Sequence, residues 1–142
     1  MKKKKAAKII RYLDTGIFPA TVMFSMGFNH DEIIKHTKKH GQWSVGIKND
    51  PVVLAGASWL GLKRVVENIK TGESKTHFYI ILTTAFDFNS DYDYVRLAHE
   101  VLHICQFMLP DFLDRDREIE AEAYLHSHLM QQCLEEIRKA YT

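Results

Sequence analysis

The chain has 142 residues, a net charge of +1 at neutral pH, 46% hydrophobic residues and 26% charged residues, which is the composition of an ordinary globular protein. A chain of this length buries about two-thirds of its unfolded surface, so a single domain over residues 1–142 is predicted. The near-neutral charge argues against a dedicated nucleic-acid-binding protein, because such domains usually carry a strong basic excess. No nucleic-acid partner is therefore expected.

The N-terminus carries a run of lysines, Lys2–Lys5. Residues 2–13 are interpreted as a basic helix or a frayed tail whose lysines are solvated. The charged residues Lys8, Arg11 and Asp14 interrupt every apolar run that follows, and no stretch reaches the ~20 apolar residues needed to cross a bilayer. The sequence therefore predicts a cytoplasmic protein without a membrane partner.

The rest of the N-terminal part gives weak signals, and residues 1–60 stay an unassigned, mainly helical part. Thr21–Phe28 is a short apolar segment whose type periodicity does not settle. Val52–Leu54 could form a short strand between turn-forming residues. These segments predict neither a motif nor a ligand.

One helix in this part has a clear start. Asn29 followed three residues later by Glu32 is a capping-box pattern, which predicts a helix through about Lys39 that Gly41 ends. The histidines around this helix do not share one face and are interpreted as surface or packing residues: His30, His36 and His40.

Two segments rich in β-branched and aromatic residues predict a β-hairpin. Val65–Ile69 and His77–Phe86 flank a loop, Lys70–Ser74, that contains a glycine. The alternative is a helix over residues 58–70. Phe78–Leu82 gives the strongest strand signal. This strand could align an extended substrate by pairing at a sheet edge, or it could be an ordinary internal strand.

The strongest functional signal is an H-E-x-x-H motif in a predicted helix that Ser90 opens. At 3.6 residues per turn, His99 and His103 lie about 40° apart around the helix axis and can present two imidazoles to one metal ion. Glu100 lies about 100° further round, where its carboxylate can reach a water on the metal rather than the metal itself. The predicted core stripe of this helix comprises Tyr94, Val95, Ala98, Val101, Leu102 and Cys105.

A catalytic zinc ion needs three protein ligands and a fourth position for water, so the motif needs a third ligand. The metzincin pattern requires glycine at position 106 and histidine at position 109, where the chain has Gln106 and Leu109, and that class is excluded. The remaining option is an acidic residue from the next helix. Glu118 and Glu122 are interpreted there as surface groups that the helix dipole favours.

The third ligand is predicted to be Glu120. Pro110 ends the motif helix, and a last helix over about Arg117–Ala140 can return antiparallel so that Glu120 faces the motif. Ala123 and Ser127 lie on the same side of this helix as Glu120, and their small size would let the two helices approach closely around the metal. The predicted core face of the last helix is Ile119, Ala123, Met130, Cys133, Leu134, Ile137 and Tyr141.

The two cysteines, Cys105 and Cys133, lie within the apolar patterns of these two helices. This placement favours buried, reduced thiols over a disulfide framework. One bridge between them remains geometrically possible.

The segment H-E-V-L-H at residues 99–103, followed by E-I-E-A-E-A-Y at residues 118–124, resembles the small gluzincin-like zinc metallopeptidases. These include H-E-x-x-H proteins of phages and mobile elements and, more distantly, the ImmA/IrrE group. In these families the second helix carries E-A-x-x-aromatic and its glutamate is the third zinc ligand; Glu120, Ala121 and Tyr124 match that pattern. The resemblance covers roughly residues 76–130.

The resemblance implies an α+β fold, in which a small β-sheet packs on the motif helix and on a C-terminal helix that bears the glutamate. This minimal zincin-like arrangement is expected within residues 76–140. The first 60 residues match no family and leave the substrate open.

The predicted function is a zinc-dependent metallopeptidase acting on a peptide or protein substrate. Zinc held by His99, His103 and Glu120 would lower the pKa of its bound water toward ~7, and Glu100 would act as the general base. Candidate donors to the tetrahedral oxyanion are Tyr124, His128 and His126. The alternatives are a catalytically inert zinc-containing interaction protein of a mobile element, and an accidental motif in a structural protein. The oligomeric state stays open.

Overall fold

The computed structural model describes residues 7–16, 18, 20–39, 58–67, 71–113 and 115–141. The elements in chain order are β1 (Ile9–Leu13), β2 (Thr21–Met26), α1 (His30–Lys39), β3 (Trp59–Glu67), β4 (Ser74–Leu82), α2 (Asp91–Met108), a 3-10 turn (Leu109–Asp111) and α3 (Arg115–Ala140). The chain is therefore an α+β protein, as predicted. The Lys2–Lys5 run, His40, Gly41 and the suggested strand at Val52–Leu54 lie outside the described residues.

The four strands form one mixed sheet in the order β1-β2-β4-β3. The predicted hairpin is confirmed, because β3 and β4 pair antiparallel from Trp59 opposite Leu82 to Glu67 opposite Ser74. The alternative of a helix over residues 58–70 is wrong for Trp59–Glu67, which form β3; residues 68–70 lie outside the described residues. The first strand of the hairpin begins at Trp59 rather than at Val65 as expected.

Strand β4 lies inside the sheet, between β2 and β3. It pairs parallel with β2 and antiparallel with β3, so both of its edges are occupied along Phe78–Leu82. The prediction that this segment is a strand is confirmed. The suggestion that it aligns a substrate at a sheet edge is wrong, because neighbouring strands already use its backbone groups.

The N-terminal part contributes two strands, β1 and β2, in addition to the expected helix α1. Ile9–Leu13 pairs antiparallel with the segment Val22–Met26, so the prediction of a basic helix or frayed tail is wrong for these residues. Ile9 and Leu13 are buried in the larger core, whereas Arg11, which lies between them on the same face of the strand, is exposed and pairs with Glu136 of the last helix at 3.2 Å.

Helix α1 covers one face of the sheet. The predicted capping box is present: Asn29 Oδ1 accepts from the Glu32 N–H at 2.9 Å, and the Asn29 N–H donates to Glu32 Oε1 at 3.2 Å. These bonds satisfy backbone donors that the helix itself leaves free. A smaller core lies under α1, formed by Met23, Ile33, Ile34, Leu60, Leu62, Tyr79 and Ile81.

Helices α2 and α3 cover the other face of the sheet around the larger core. Ser90 caps α2, with its side chain accepting from the Asp93 N–H at 3.3 Å, and Pro110 lies in the 3-10 turn that follows. The buried residues of α2 are Leu97, Val101, Ile104, Cys105 and Met108. The predicted stripe is therefore partly wrong: Val95 is 65% exposed, because the joint contact with the sheet and α3 turns the helix toward Leu97 and Ile104.

The prediction for the last helix is right at its C-terminal end and wrong at its start. Cys133 and Ile137 are buried as expected, whereas Ile119 is 76% exposed and Ala123 is also exposed. The buried face of α3 passes instead through Leu125 and Leu129. Its first turns consequently leave an apolar surface uncovered.

Cys105 and Cys133 are both free and buried, which confirms the reduced thiols. Burial, together with the negative charge of Glu122, raises the pKa of Cys105 to about 12, and burial likewise raises the pKa of Cys133. Neither thiol is therefore ionised at neutral pH. Among the described helices, none has both the length and the apolarity required to span a bilayer.

Helix α2 lies directly against β3 at Gly61. A Cβ placed on Gly61 would fall within clashing distance of the Glu100 carbonyl oxygen and 3.0 Å from its carbonyl carbon. A glycine inside a strand commonly marks such a close backbone approach. Gly61 therefore sets how closely the motif helix approaches the sheet.

The Gly61→Ala variant should have a free energy of unfolding about 1–3 kcal/mol lower than the wild type, because the added methyl group meets helix backbone that cannot rotate away. Urea denaturation followed by circular dichroism measures this change. Gly72→Asn is the matched control: a Cβ there meets nothing within 4 Å at φ +71°, and asparagine tolerates this backbone region. Equal stability of Gly61→Ala and the wild type would contradict the close approach.

Candidate metal centre

The two motif histidines lie on the solvent side of α2 with their rings converging. Their Nε2 atoms are 3.0 Å apart, and the ring planes meet at 89°. Two nitrogens bound to one tetrahedral zinc ion at about 2.0–2.1 Å are separated by about 3.3 Å. A small rotation of the two side chains would therefore let His99 and His103 share a zinc ion, and both already lie on the same side of the helix.

The His103 ring is supported from its own helix. Phe107, one turn later, stacks on it with ring centroids 5.8 Å apart and an interplanar angle of 13°. His99 is more open, with 63% of its side chain exposed. The pair is thus reachable from solvent, while one member is held in orientation by an aromatic contact.

Glu100 points to the side of α2 that faces β3. Its Oε2 accepts a hydrogen bond from the Gly61 N–H, and its Oε1 lies 4.0 Å from His99 Nε2. One oxygen is therefore anchored on the strand while the other stays beside the imidazoles. The side chain is only 14% exposed.

Burial sets the protonation behaviour of Glu100. Desolvation raises the pKa of this carboxyl above its ordinary value, against the lowering effects of the Gly61 N–H and of the charges of His99, His103 and Arg96. A carboxylate with a raised pKa is a stronger proton acceptor, which suits a general base. The environment of Glu100 thus matches the role that the motif predicts for it.

Arg96, one turn before Glu100, ties α2 to the start of β3. Its guanidinium lies 3.8 Å from the centroid of the Trp59 ring and donates to Ser58 Oγ at 3.1 Å. It also lies 3.9 Å from Asp93 Oδ1. These contacts fix the orientation of the helix segment that leads into the motif.

Glu120, the predicted third ligand, is exposed on α3. Within the part of the chain that the structure describes, no three His, Cys, Asp or Glu side chains gather closely enough to hold a metal ion. The structure therefore does not bring Glu120 together with the two imidazoles, and its ligand role stays a prediction.

An open groove of about 550 Å³ runs between α2 and α3. Its lining consists of Leu102, Ile119, Glu122, Ala123, His126 and Ser127. Glu120 precedes Ala123 by three residues and Ser127 by seven, so its Cα lies on the same face of α3 as these two small groove residues. Glu120 itself does not line the groove and lies at the edge of this face, next to Ser127.

Of the three predicted oxyanion donors, only His126 lines the groove. The rings of Tyr124 and His128 stack on each other with centroids 6.2 Å apart, and Tyr124 is 70% exposed. Neither lines the groove, whereas His126 does, with its Nε2 3.0 Å from the Ala98 carbonyl oxygen. The roles predicted for Tyr124 and His128 stay predictions.

Sequence reasoning missed two residues at this site. Gly61 was a detectable signal, because an isolated glycine in a strand pattern points to a close backbone approach. Glu122 was interpreted as a surface group, yet it is half-buried and lines the groove. Its spacing of four residues from His126 places both on one face of α3.

Comparison of the chain with family models, with curated proteins and with solved structures finds no match. The gluzincin-like resemblance of the two motif segments therefore stays a prediction. What the site can do rests on its own geometry and chemistry.

We expect the metal-free protein to bind one zinc ion and the His103→Ala variant to bind it at least about 100-fold more weakly. Loss of a group that only orients a metal ligand already costs roughly 10- to 100-fold in affinity, and loss of a ligand should cost no less. Isothermal titration calorimetry with zinc measures the affinity. His30→Ala, which removes an imidazole on α1 at the opposite face of the sheet, should bind zinc like the wild type; equal affinity of His103→Ala would contradict the site.

Proposed function

We propose that the protein is a zinc-dependent hydrolase of peptide bonds, acting on a peptide or protein in the cytoplasm. The observation that supports this function is the joint geometry of three side chains. The Nε2 atoms of His99 and His103 lie 3.0 Å apart, and an anchored carboxylate oxygen of Glu100 lies 4.0 Å from the first of them.

In this proposal Glu120 completes the ligand set by turning its exposed side chain across the groove toward the imidazoles. Ala123 and Ser127 favour this movement, because their small side chains leave the space between the helices open. A bound zinc ion supplies an acidified water and polarises the scissile carbonyl. The α2 and α3 helices together provide the two imidazoles and the carboxylate that hold it.

Glu100 is the general base. Its Oε1 is free of the Gly61 hydrogen bond and can take a proton from the attacking water, then return it to the leaving amine nitrogen. The Gly61 N–H keeps the carboxylate from rotating, so that little orientation is lost when the substrate binds. The raised pKa of Glu100 strengthens it as an acceptor.

The tetrahedral oxyanion needs a further donor, since loss of one such donor costs ~10²-fold or more in rate. His126 is the candidate that the groove favours, because its ring lies on the wall next to α2. Tyr124 and His128 are placed second, because their rings stack on each other outside the groove lining.

A second candidate function is a catalytically inert zinc protein that serves as an interaction module. The exposure of Glu120 favours it, because a site with two imidazoles alone does not form a catalytic zinc centre. This alternative predicts that the protein binds zinc but cleaves no peptide in a mixed peptide pool.

The Glu100→Gln variant should retain zinc and lose hydrolysis by at least about 10²-fold, the lower end of what a positioned acid–base group contributes. Mass spectrometry of a peptide pool incubated with wild-type and variant protein measures cleavage, and elemental analysis measures zinc. Glu135→Gln, an exposed position on α3, should cleave like the wild type. Unchanged cleavage by Glu100→Gln would refute the general base, and no cleavage by the wild type would favour the inert module.

The Glu120→Gln variant tests the third ligand. If Glu120 turns over to bind the metal, the variant should hold zinc more weakly by at least about tenfold, since an amide is a poorer ligand than a carboxylate. Competition with a chromophoric zinc chelator measures the affinity, with Glu135→Gln as the control again. Wild-type affinity in Glu120→Gln would remove this residue from the ligand set.

A further inference from the structure

The groove between α2 and α3 has apolar walls and one acidic group. Leu102 from α2 and Ile119 and Ala123 from α3 supply the walls, and Glu122 supplies a carboxylate. Its volume of about 550 Å³ lies within the range of roughly 300–1,000 Å³ that is typical of ligand pockets. The groove therefore has the size and chemistry to take a long side chain with a polar end.

Glu122 forms no ion pair with any residue in the described part of the chain. It is half-buried. Its negative charge reaches α2, where, after burial, it is a cause of the raised pKa of Cys105. A half-buried carboxylate without a counter-ion is a site that a cation would neutralise favourably.

The neighbouring imidazole of His126 is directed at α2 and not at Glu122. The Nε2 atom of His126 is engaged with the Ala98 carbonyl oxygen at 3.0 Å, and no contact between His126 and Glu122 is formed among the described side chains. The charge of Glu122 is thus free to pair with a group that enters from outside.

The groove also lies next to the metal centre. Leu102 directly precedes His103 and lies one turn from His99, and Ala98, which His126 contacts, directly precedes His99. A side chain bound in the groove would therefore belong to a residue whose backbone lies beside the two imidazoles.

We propose that the groove binds the lysine or arginine side chain of a peptide, with its aliphatic stem along Leu102 and Ile119 and its cationic end at Glu122. Long basic side chains combine an apolar stem with a charged tip, which matches this lining. The consequence for cleavage, a preference for peptide bonds next to a basic residue, rests on the proposed hydrolase function. The binding preference itself does not.

Binding is measured with the Glu100→Gln protein, in which hydrolysis is suppressed, once without metal and once with added zinc. The probes are fluorescein-labelled hexapeptides that differ at one central position, which holds lysine, arginine, norleucine or glutamate, and the readout is fluorescence anisotropy. The lysine and arginine peptides should bind at least tenfold tighter than the norleucine peptide. Equal binding of all four peptides, or no binding of any, would overturn the proposal.

Substitution of Glu122 shows whether this carboxylate carries the preference. Adding Glu122→Gln to the same protein should remove the advantage of lysine over norleucine and leave norleucine binding unchanged. Adding Glu135→Gln should leave the advantage intact. Ala123→Phe, which fills the groove from an exposed position, should weaken all the peptides together. An undiminished lysine preference in the Glu122→Gln protein would overturn the proposal.

Cleavage products of the wild type separate this proposal from the proposed function. Cleavage without a basic residue near the cut, together with equal peptide binding, refutes the groove assignment alone. If the wild type cleaves no peptide but binds lysine peptides preferentially through Glu122, the binding proposal is supported and the hydrolase function is refuted.

Discussion

The contact between the Glu100 carboxylate and the Gly61 backbone amide joins the motif helix to the sheet, and the arrangement of the site follows from it. Only a residue without a Cβ lets α2 approach β3 so closely. The carboxylate is consequently buried yet hydrogen-bonded, which is how a polar group is tolerated in such a position. With one oxygen fixed on the strand, the other stays beside the imidazoles, and the rotation of α2 that achieves this also turns His99 and His103 outward.

In this orientation one side of α2 faces β3 and another faces α3. Burial on the β3 side raises the pKa of Glu100, as expected for a carboxyl group enclosed between a helix and a sheet. On the α3 side the helix leaves a groove, because Ile119 and Ala123 are not covered by the core.

Local signals in the sequence predict the capped helices and the β3–β4 hairpin, but they miss strand β1 and do not set how each helix is rotated about its axis. The capping residues Asn29 and Ser90 mark the starts of α1 and α2 correctly, because a cap depends on neighbours within one turn. Strand Ile9–Leu13 forms by pairing with the next segment of the chain, Val22–Met26, and its own residues show no alternation of apolar and polar side chains that would predict it. Periodicity gives the angle between two residues around a helix, but it does not tell which face the helix turns toward the sheet. For this reason the predicted core face includes Ile119, which is exposed. For the same reason the spacing brought His99 and His103 together but could not place Glu120.

The central claim is that two imidazoles of α2 and a carboxylate of α3 hold one metal ion beside Glu100. Diffraction from crystals of the zinc-loaded protein, collected on both sides of the zinc absorption edge, tests it most directly. We expect a single anomalous peak within bonding distance of His99 Nε2, His103 Nε2 and the Glu120 carboxylate, with Glu100 outside bonding distance. A peak elsewhere, or no peak between the two imidazoles at saturating zinc, would contradict the account.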